Sequence, residues 1–218
     1  MNEKKFKDRR DAGLQLGHAL QKYETKDPIV LAIPRGGVVV GYYVAEHLEC
    51  EFSVIVCRKL GYTAQPELAF GAITEGRSLY MDPRARVRIS RADIMATIQK
   101  EQDELMRRVE RYRNNQPLPD LKGRTIILVD DGIATGNTIM AAINACRKMR
   151  PDTLIVASPV SSPDTKRKLL KTADEVVILV EPEYFYAVSQ VYEIFNPVED
   201  SEVLSFLTRI SRKRASSD

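Results

Sequence analysis

The sequence predicts an α/β fold in which one parallel sheet is flanked by helices. Three observations predict it. Short runs rich in Val and Ile alternate with stretches of helical periodicity, the βαβα rhythm of a parallel sheet. Those runs are continuously apolar rather than alternating, as in strands buried on both faces. Two of them lead through glycine-containing loops straight into helices, the arrangement that puts ligands beyond the carboxyl ends of strands.

In chain order, Asp8 to Tyr23 carries Ala12, Leu16, Leu20 and Tyr23 on one helical face. Ile29 to Ile33 is the first predicted strand, and Val38 to Leu48 the next helix, with Val40, Val44 and Leu48 on its stripe. Phe52 to Cys57 reads as a second strand. The stretch from Gly61 to Pro119 breaks the rhythm. Within it, Tyr62 to Pro66 reads as a loop, and Leu68 to Ile73 with Ser78 to Met81 as a short strand pair. A long helix is predicted over Arg91 to Arg113, opened by Ser90 with Asp93 three residues on, a capping box. The rhythm resumes with a strand at Thr125 to Val129 and a helix at Thr138 to Met149, stopped by Pro151. A strand at Thr153 to Ala157, a helix at Pro163 to Lys171 and a strand at Glu175 to Val180 follow. Glu181 to Arg209 reads as irregular and aromatic, with a polar, frayed end. These features predict a single domain over 1–218, with a core at about 27–60 and 120–181. An insertion at about 61–119 is expected on the sheet edge, and a small C-terminal lobe at about 182–209.

A chain of 218 residues with 44% hydrophobic and 29% charged content is globular, not disordered. A net charge of +3 is too mild to imply nucleic acid by itself. No apolar run approaches the roughly 18 residues of a membrane span, and the start, MNEKKFKDRRDAG, lacks the apolar stretch of a secretory leader. Three scattered cysteines and two histidines supply neither a disulfide scaffold nor a zinc site, and fit a reduced, cytoplasmic setting.

The segment Ile126 to Thr138, IILVDDGIATGNT, carries the most chemistry. An apolar strand ends in the adjacent carboxylates Asp130 and Asp131. Gly132, Ala134 and Gly136 let the backbone approach a ligand, and their amides with the helix N-terminus form an anion nest. Thr135 and Thr138 add hydroxyls. A phosphate is expected in the loop, with the acids beside it holding sugar hydroxyls or a hydrated divalent cation. Neither a G-x-x-x-x-G-K-[ST] loop nor a G-x-G-x-x-G fingerprint is present. In Ile29 to Gly37, IVLAIPRGG, a guanidinium beside two glycines precedes a helix, an arrangement suited to a polyanion. Arg58 and Lys59 are expected at another strand's carboxyl end, as a second cationic group.

Four apolar residues, two acids, three variable residues and then Thr-Gly-x-Thr resemble the phosphoribosyl pyrophosphate (PRPP) signature of the type I phosphoribosyltransferases. F-x-DRR-x-AG near the start, PRGG, and FYAVSQVYEIFNPVEDSEV near the end resemble a subgroup of predicted phosphoribosyltransferases without an assigned substrate. The resemblance implies a Rossmann-like sheet with a C-terminal hood. It implies that Asp130 and Asp131 hold the ribose hydroxyls directly or through Mg²⁺, and that Ala134, Thr135, Gly136, Asn137 and Thr138 wrap the 5-phosphate. Arg35, Gly36 and Gly37 would bind pyrophosphate through a loop with an unusual cis peptide at Arg35 or Gly36, helped by Arg58 and Lys59. Tyr184, Phe185 and Tyr186 fall where the family places its hood, and Tyr184 and Phe185 are the expected contacts to the acceptor. Asp8, Arg9 and Arg10 are expected to cap the first helix rather than reach the site.

The implied activity is transfer of the 5-phosphoribosyl group to a nitrogenous acceptor with release of pyrophosphate, Asp130, Asp131 and Arg35 carrying the catalysis. A cover near Tyr62 to Glu67 would exclude water. The expected partners are small molecules (PRPP, an acceptor base and pyrophosphate), with a homodimer as a family expectation and neither membrane nor nucleic acid. A non-catalytic PRPP or nucleotide sensor of the same fold is the alternative.

Overall fold

The computed structural model describes residues 5–62, 65–76, 78–83, 85 and 89–215. Asp8 caps helix α1 (Arg9–Ala19) by accepting from the Asp11 amide, and a 3-10 turn, Gln21–Lys26, then buries Tyr23. Strand β1 (Ile29–Ala32), helix α2 (Gly36–His47) and strand β2 (Glu51–Val54) follow. Strands β3 (Cys57–Tyr62), β4 (Gln65–Thr74) and β5 (Leu79–Met81) precede helix α3 (Arg91–Arg113). The second half runs β6 (Thr125–Val129), α4 (Asn137–Lys148), β7 (Thr153–Val160), α5 (Pro163–Leu169), β8 (Glu175–Val180) and α6 (Asp200–Ala215).

The main sheet has the order β2-β1-β6-β7-β8 and is parallel throughout. Its strands alternate between two cores, as the period of two requires. Val30, Ala32, Ile127 and Val129 face α1, α2 and α6, whereas Ile29, Leu31, Ile126 and Leu128 face α4 and α5. From β1 the chain steps outward to β2, and from β6 it steps the other way to β7 and β8. The order therefore reverses between β1 and β6, and a crevice opens there at the strands' carboxyl ends.

The structure corrects several expectations. The run Phe52 to Cys57 is two strands, because β2 ends at Val54 and Cys57 starts β3 in a separate antiparallel sheet, β3-β4-β5. Ile55 and Val56 between them are fully buried, so an unbroken apolar run hid the break. Within the expected loop from Tyr62 to Pro66, Tyr62 ends β3 and pairs antiparallel with Gln65 at the start of β4, with register slips on either side of Gly61. Thr63 and Ala64 lie outside the described residues, as do Arg84, Arg86 and Arg88. The insertion packs on α4 through β4 and β5, and its helix α3 brings Leu105, Val109 and Tyr112 into the core that includes Phe52 and Val54 of the edge strand β2. The irregular tail is broken by α6, which buries Val203, Phe206 and Ile210.

Among the described residues, no helix is long and apolar enough to cross a membrane. The three cysteines are buried and outside any disulfide among the described residues, and burial pushes the Cys57 thiol well up and the Cys146 thiol up to about 12, so these two serve as core rather than as nucleophiles.

Candidate active site

A cavity of about 1060 Å³ opens over the β1/β6 crevice, at the upper end of the size of small-molecule sites. Its floor is the end of β6. Asp130 and Asp131 stand side by side, and each carboxylate has one oxygen engaged. Asp130 Oδ1 accepts the Asp131 amide at 2.9 Å, and Asp131 Oδ2 accepts Arg9 Nε at 2.7 Å. Asp130 Oδ2 and Asp131 Oδ1 have no donor among the described residues, so both can receive hydroxyls or a cation. Burial pushes the Asp130 carboxyl well above the usual range and the neighbouring Asp131 charge adds to this, while the Asp131 amide and Lys59 oppose it.

One wall is the loop after β1. The Pro34–Arg35 peptide is cis, and α2 starts directly at Gly36. The loop lies tight against the acids: a Cβ on Gly36 would overlap Asp131 Oδ2, and one on Gly37 would come 3.0 Å from Asp130 Oδ1. Glycine is required at Gly36 by this close approach, not by its dihedral angles. The Arg35 guanidinium lines the cavity but leans toward Glu199 (3.4 Å) and Asp200 (4.0 Å) at the start of α6.

The opposite wall is the loop after β6. Ile133 N donates to Val160 O, and Thr165 Oγ1 donates to Ala134 O at 2.7 Å, which fixes the loop from both sides. Gly136 caps α4 at a φ of 81°, a left-handed turn that suits glycine. The first amides of α4 have no partner within the helix, and residues 134 to 139 line the cavity. This geometry suits an anion.

The family model for the phosphoribosyl transferase domain matches residues 15–193. The chain belongs to the phosphoribosyl transferase family. A curated relative from Mycobacterium tuberculosis, provisionally named a phosphoribosyl transferase, is 43% identical over 211 residues, covering 96% of this chain and 48% of its own. The chain thus spans about half the length of the curated relatives it matches. The crystal structure of TT1426 from Thermus thermophilus superposes with a TM-score of 0.80 at 40% identity, covering 94% of this chain and 98% of that one. The AQ2163 protein of Aquifex aeolicus shares the fold at a TM-score of 0.51 and 12% identity, covering 78% of this chain and 72% of its own. The parallel sheet and its flanking helices form the type I phosphoribosyltransferase fold.

On this phosphoribosyl transferase frame, Arg35, Gly36, Arg58, Lys59, Asp130, Asp131, Gly132, Ala134, Thr135, Gly136, Asn137 and Thr138 all line one cavity. Gly37 sits just behind, packed on Asp130. Several details differ from expectation. Arg58 and Lys59 do not follow a strand of the main sheet but lie within β3, which carries them over the cavity. Arg58 is held by Glu101 of α3, at 2.7 Å from Nε and 2.6 Å from NH2. The Asn137 side chain donates to Ala69 O at 3.2 Å.

Tyr184 and Phe185 do not line the cavity. Tyr184 is 65% exposed, because Gln190 staples this turn by accepting from the Tyr186 and Ala187 amides and donating to Tyr184 O. The hood meets the cavity instead through Val188 and Phe195. Two further contributors were missed. Helix α3 supplies Thr97, Lys100, Glu101 and Arg108, forming a cover where only a loop was expected. Arg9 enters from α1 while its neighbour Asp8 makes the expected cap.

Proposed function

We propose that this domain transfers the 5-phosphoribosyl group of PRPP to a nitrogenous acceptor and releases pyrophosphate, a reaction of nucleotide metabolism in a cytoplasmic setting. The observation that carries this reading is the pairing, across one crevice, of two adjacent carboxylates with a preformed nest of main-chain amides. The nest suits the 5-phosphate, with the Thr135 and Thr138 hydroxyls beside it. The unengaged oxygens of Asp130 and Asp131 suit the ribose diol. Arg35, the Gly36 amide and Lys59 suit the pyrophosphate. The hood end, with Val188 and Phe195, suits a planar acceptor.

By analogy with glycoside cleavage, the transition state has oxocarbenium character. The chain's contribution is then positioning and electrostatics. Asp130 and Asp131 fix the sugar and favour its growing positive charge, while the cations of β3 and the β1 loop favour the leaving anion. The α3 cover excludes water. The acids also fit Mg²⁺. They are two adjacent carboxylates, which suits a metal that keeps its waters and takes phosphate oxygens from substrate. When bound, Mg²⁺ neutralises pyrophosphate charge.

One observation favours the alternative of a non-catalytic PRPP or nucleotide sensor: Arg58 is already committed to Glu101, and Arg35 leans on Glu199. Pyrophosphate release, measured with PRPP, Mg²⁺ and a panel of bases, separates the two. Release that requires one class of base is the expected result. Saturable PRPP binding with no release from any base would favour the sensor.

A further inference from the structure

Arg9 is the most heavily engaged side chain in the cavity that the proposed chemistry leaves without a role. It precedes the segment matched by the family, residues 15–193. Its Nε donates to Asp131 Oδ2 at 2.7 Å and its NH1 to Asn196 O at 2.7 Å, and its guanidinium carbon lies 3.8 Å over the Phe195 ring. The pair is sheltered, with side-chain exposures of 11% for Arg9 and 14% for Asp131. On the other side of the same residue, Tyr192 OH donates to Asp131 O at 2.7 Å, and Gly36 crowds Oδ2. One planar cation thus bridges α1, the floor of the site and the hood.

We infer that Arg9 is a positioning residue, which holds the Asp131 carboxylate in the orientation that receives the ribose and locks it to the hood. The role rests on the PRPP reading above. Two adjacent carboxylates repel each other, and a guanidinium on one of them offsets that repulsion at close range. Because Arg9 takes Oδ2, Oδ1 is the oxygen left for substrate. A forked, planar cation stacked on an aromatic ring fixes direction as well as charge, which lysine does not. Phe195 and Asn196 belong to the hood, so the guanidinium that holds Asp131 also holds the hood.

The test is steady-state kinetics with PRPP on Arg9→Ala and Arg9→Lys, alongside calorimetric PRPP binding. Arg9→Ala is expected to lower kcat by about 10–100-fold, the cost of a misplaced reacting group, with a smaller change in KM. Millimolar methylguanidinium is expected to restore part of that loss. Arg9→Lys, which keeps the charge without the fork, is expected to fall between Arg9→Ala and wild type. Should Arg9→Ala not fold, Arg9→Lys carries the test alone, with kcat lowered about tenfold. A folded variant with wild-type kcat, or a loss confined to melting temperature, overturns the role while leaving the PRPP reading standing. A wild type that binds no PRPP overturns both.

Discussion

Replacing Asp130 and Asp131 together with Asn is expected to lower PRPP turnover by about 10³-fold or more, with the far-ultraviolet circular dichroism unchanged. Among the described residues the two acids are the negative groups on the floor of the cavity, and removing preorganised electrostatic groups from a sheltered site costs on this scale. The Asp130→Asn change alone should make the protein more stable at neutral pH. Burial and the Asp131 charge raise the Asp130 carboxyl well above its ordinary value, so the folded state holds that proton more tightly than the unfolded chain does. The stability this proton linkage adds is complete below the unfolded value of about 3.9 and is lost as pH rises through the folded value. An amide carries no such charge. Asp130→Asn should therefore gain on wild type in thermal melts as pH is raised from about 4 to 8, with about 2–4 °C expected for each 1 kcal/mol in a chain of this length. A double variant that is folded and active removes the acids from the mechanism. A melting temperature for Asp130→Asn that falls relative to wild type over this range contradicts the burial argument.

Gly36→Ala is expected to reduce kcat/KM by about 10²-fold while leaving most of the fold intact. The new methyl group would overlap the Asp131 carboxylate and come within 3.0 Å of Arg9 Nε, so the acid, the arginine or the β1 loop must move. A displacement of about 1 Å at a reacting group has this order of consequence. Gly76→Ala is the matched control, since a Cβ there meets nothing within 4 Å. It is expected to stay within about 0.5 kcal/mol of wild-type stability, with unchanged kinetics. Equal kinetics for the two variants would show that the close approach at Gly36 is unimportant.

The sequence was most legible where chemistry and local pattern coincide. The run from Ile126 to Thr138 revealed its strand, its turn, its helix and its acids together, because each needs particular residue types at adjacent positions. Strands β1, β6 and β7 were visible for a related reason, since burial on both faces leaves an apolar run with no alternation. The same property concealed the end of β2, because a run without period carries no mark at Ile55 and Val56 where the chain changes sheets. Helix α6 had a readable stripe in Val203, Phe206 and Ile210, but its charged flanks resembled a solvated tail.

The parts of the site that depend on distant contacts were not legible. Arg9 lies 122 positions from the acid it holds, and nothing local separates it from Arg10, whose guanidinium lies instead over Tyr43. Of the aromatics after β8, Phe195 reaches the cavity and Tyr184 does not. The difference is made by the Gln190 staple, which turns the 184–187 segment outward. The charged face of α3 has the composition of a solvated helix face, with both signs interleaved. It does carry solvated pairs such as Arg107 with Glu104, yet one edge of it covers the cavity through Lys100, Glu101 and Arg108.

Titration calorimetry with PRPP and Mg²⁺ is the most direct measurement of the central claim. One saturable site in the wild type, competed by ribose 5-phosphate and lost in the Asp130→Asn, Asp131→Asn protein, is the expected result. No heat and no competition in the wild type, or undiminished binding in the double variant, would contradict the assignment of this crevice to an activated pentose.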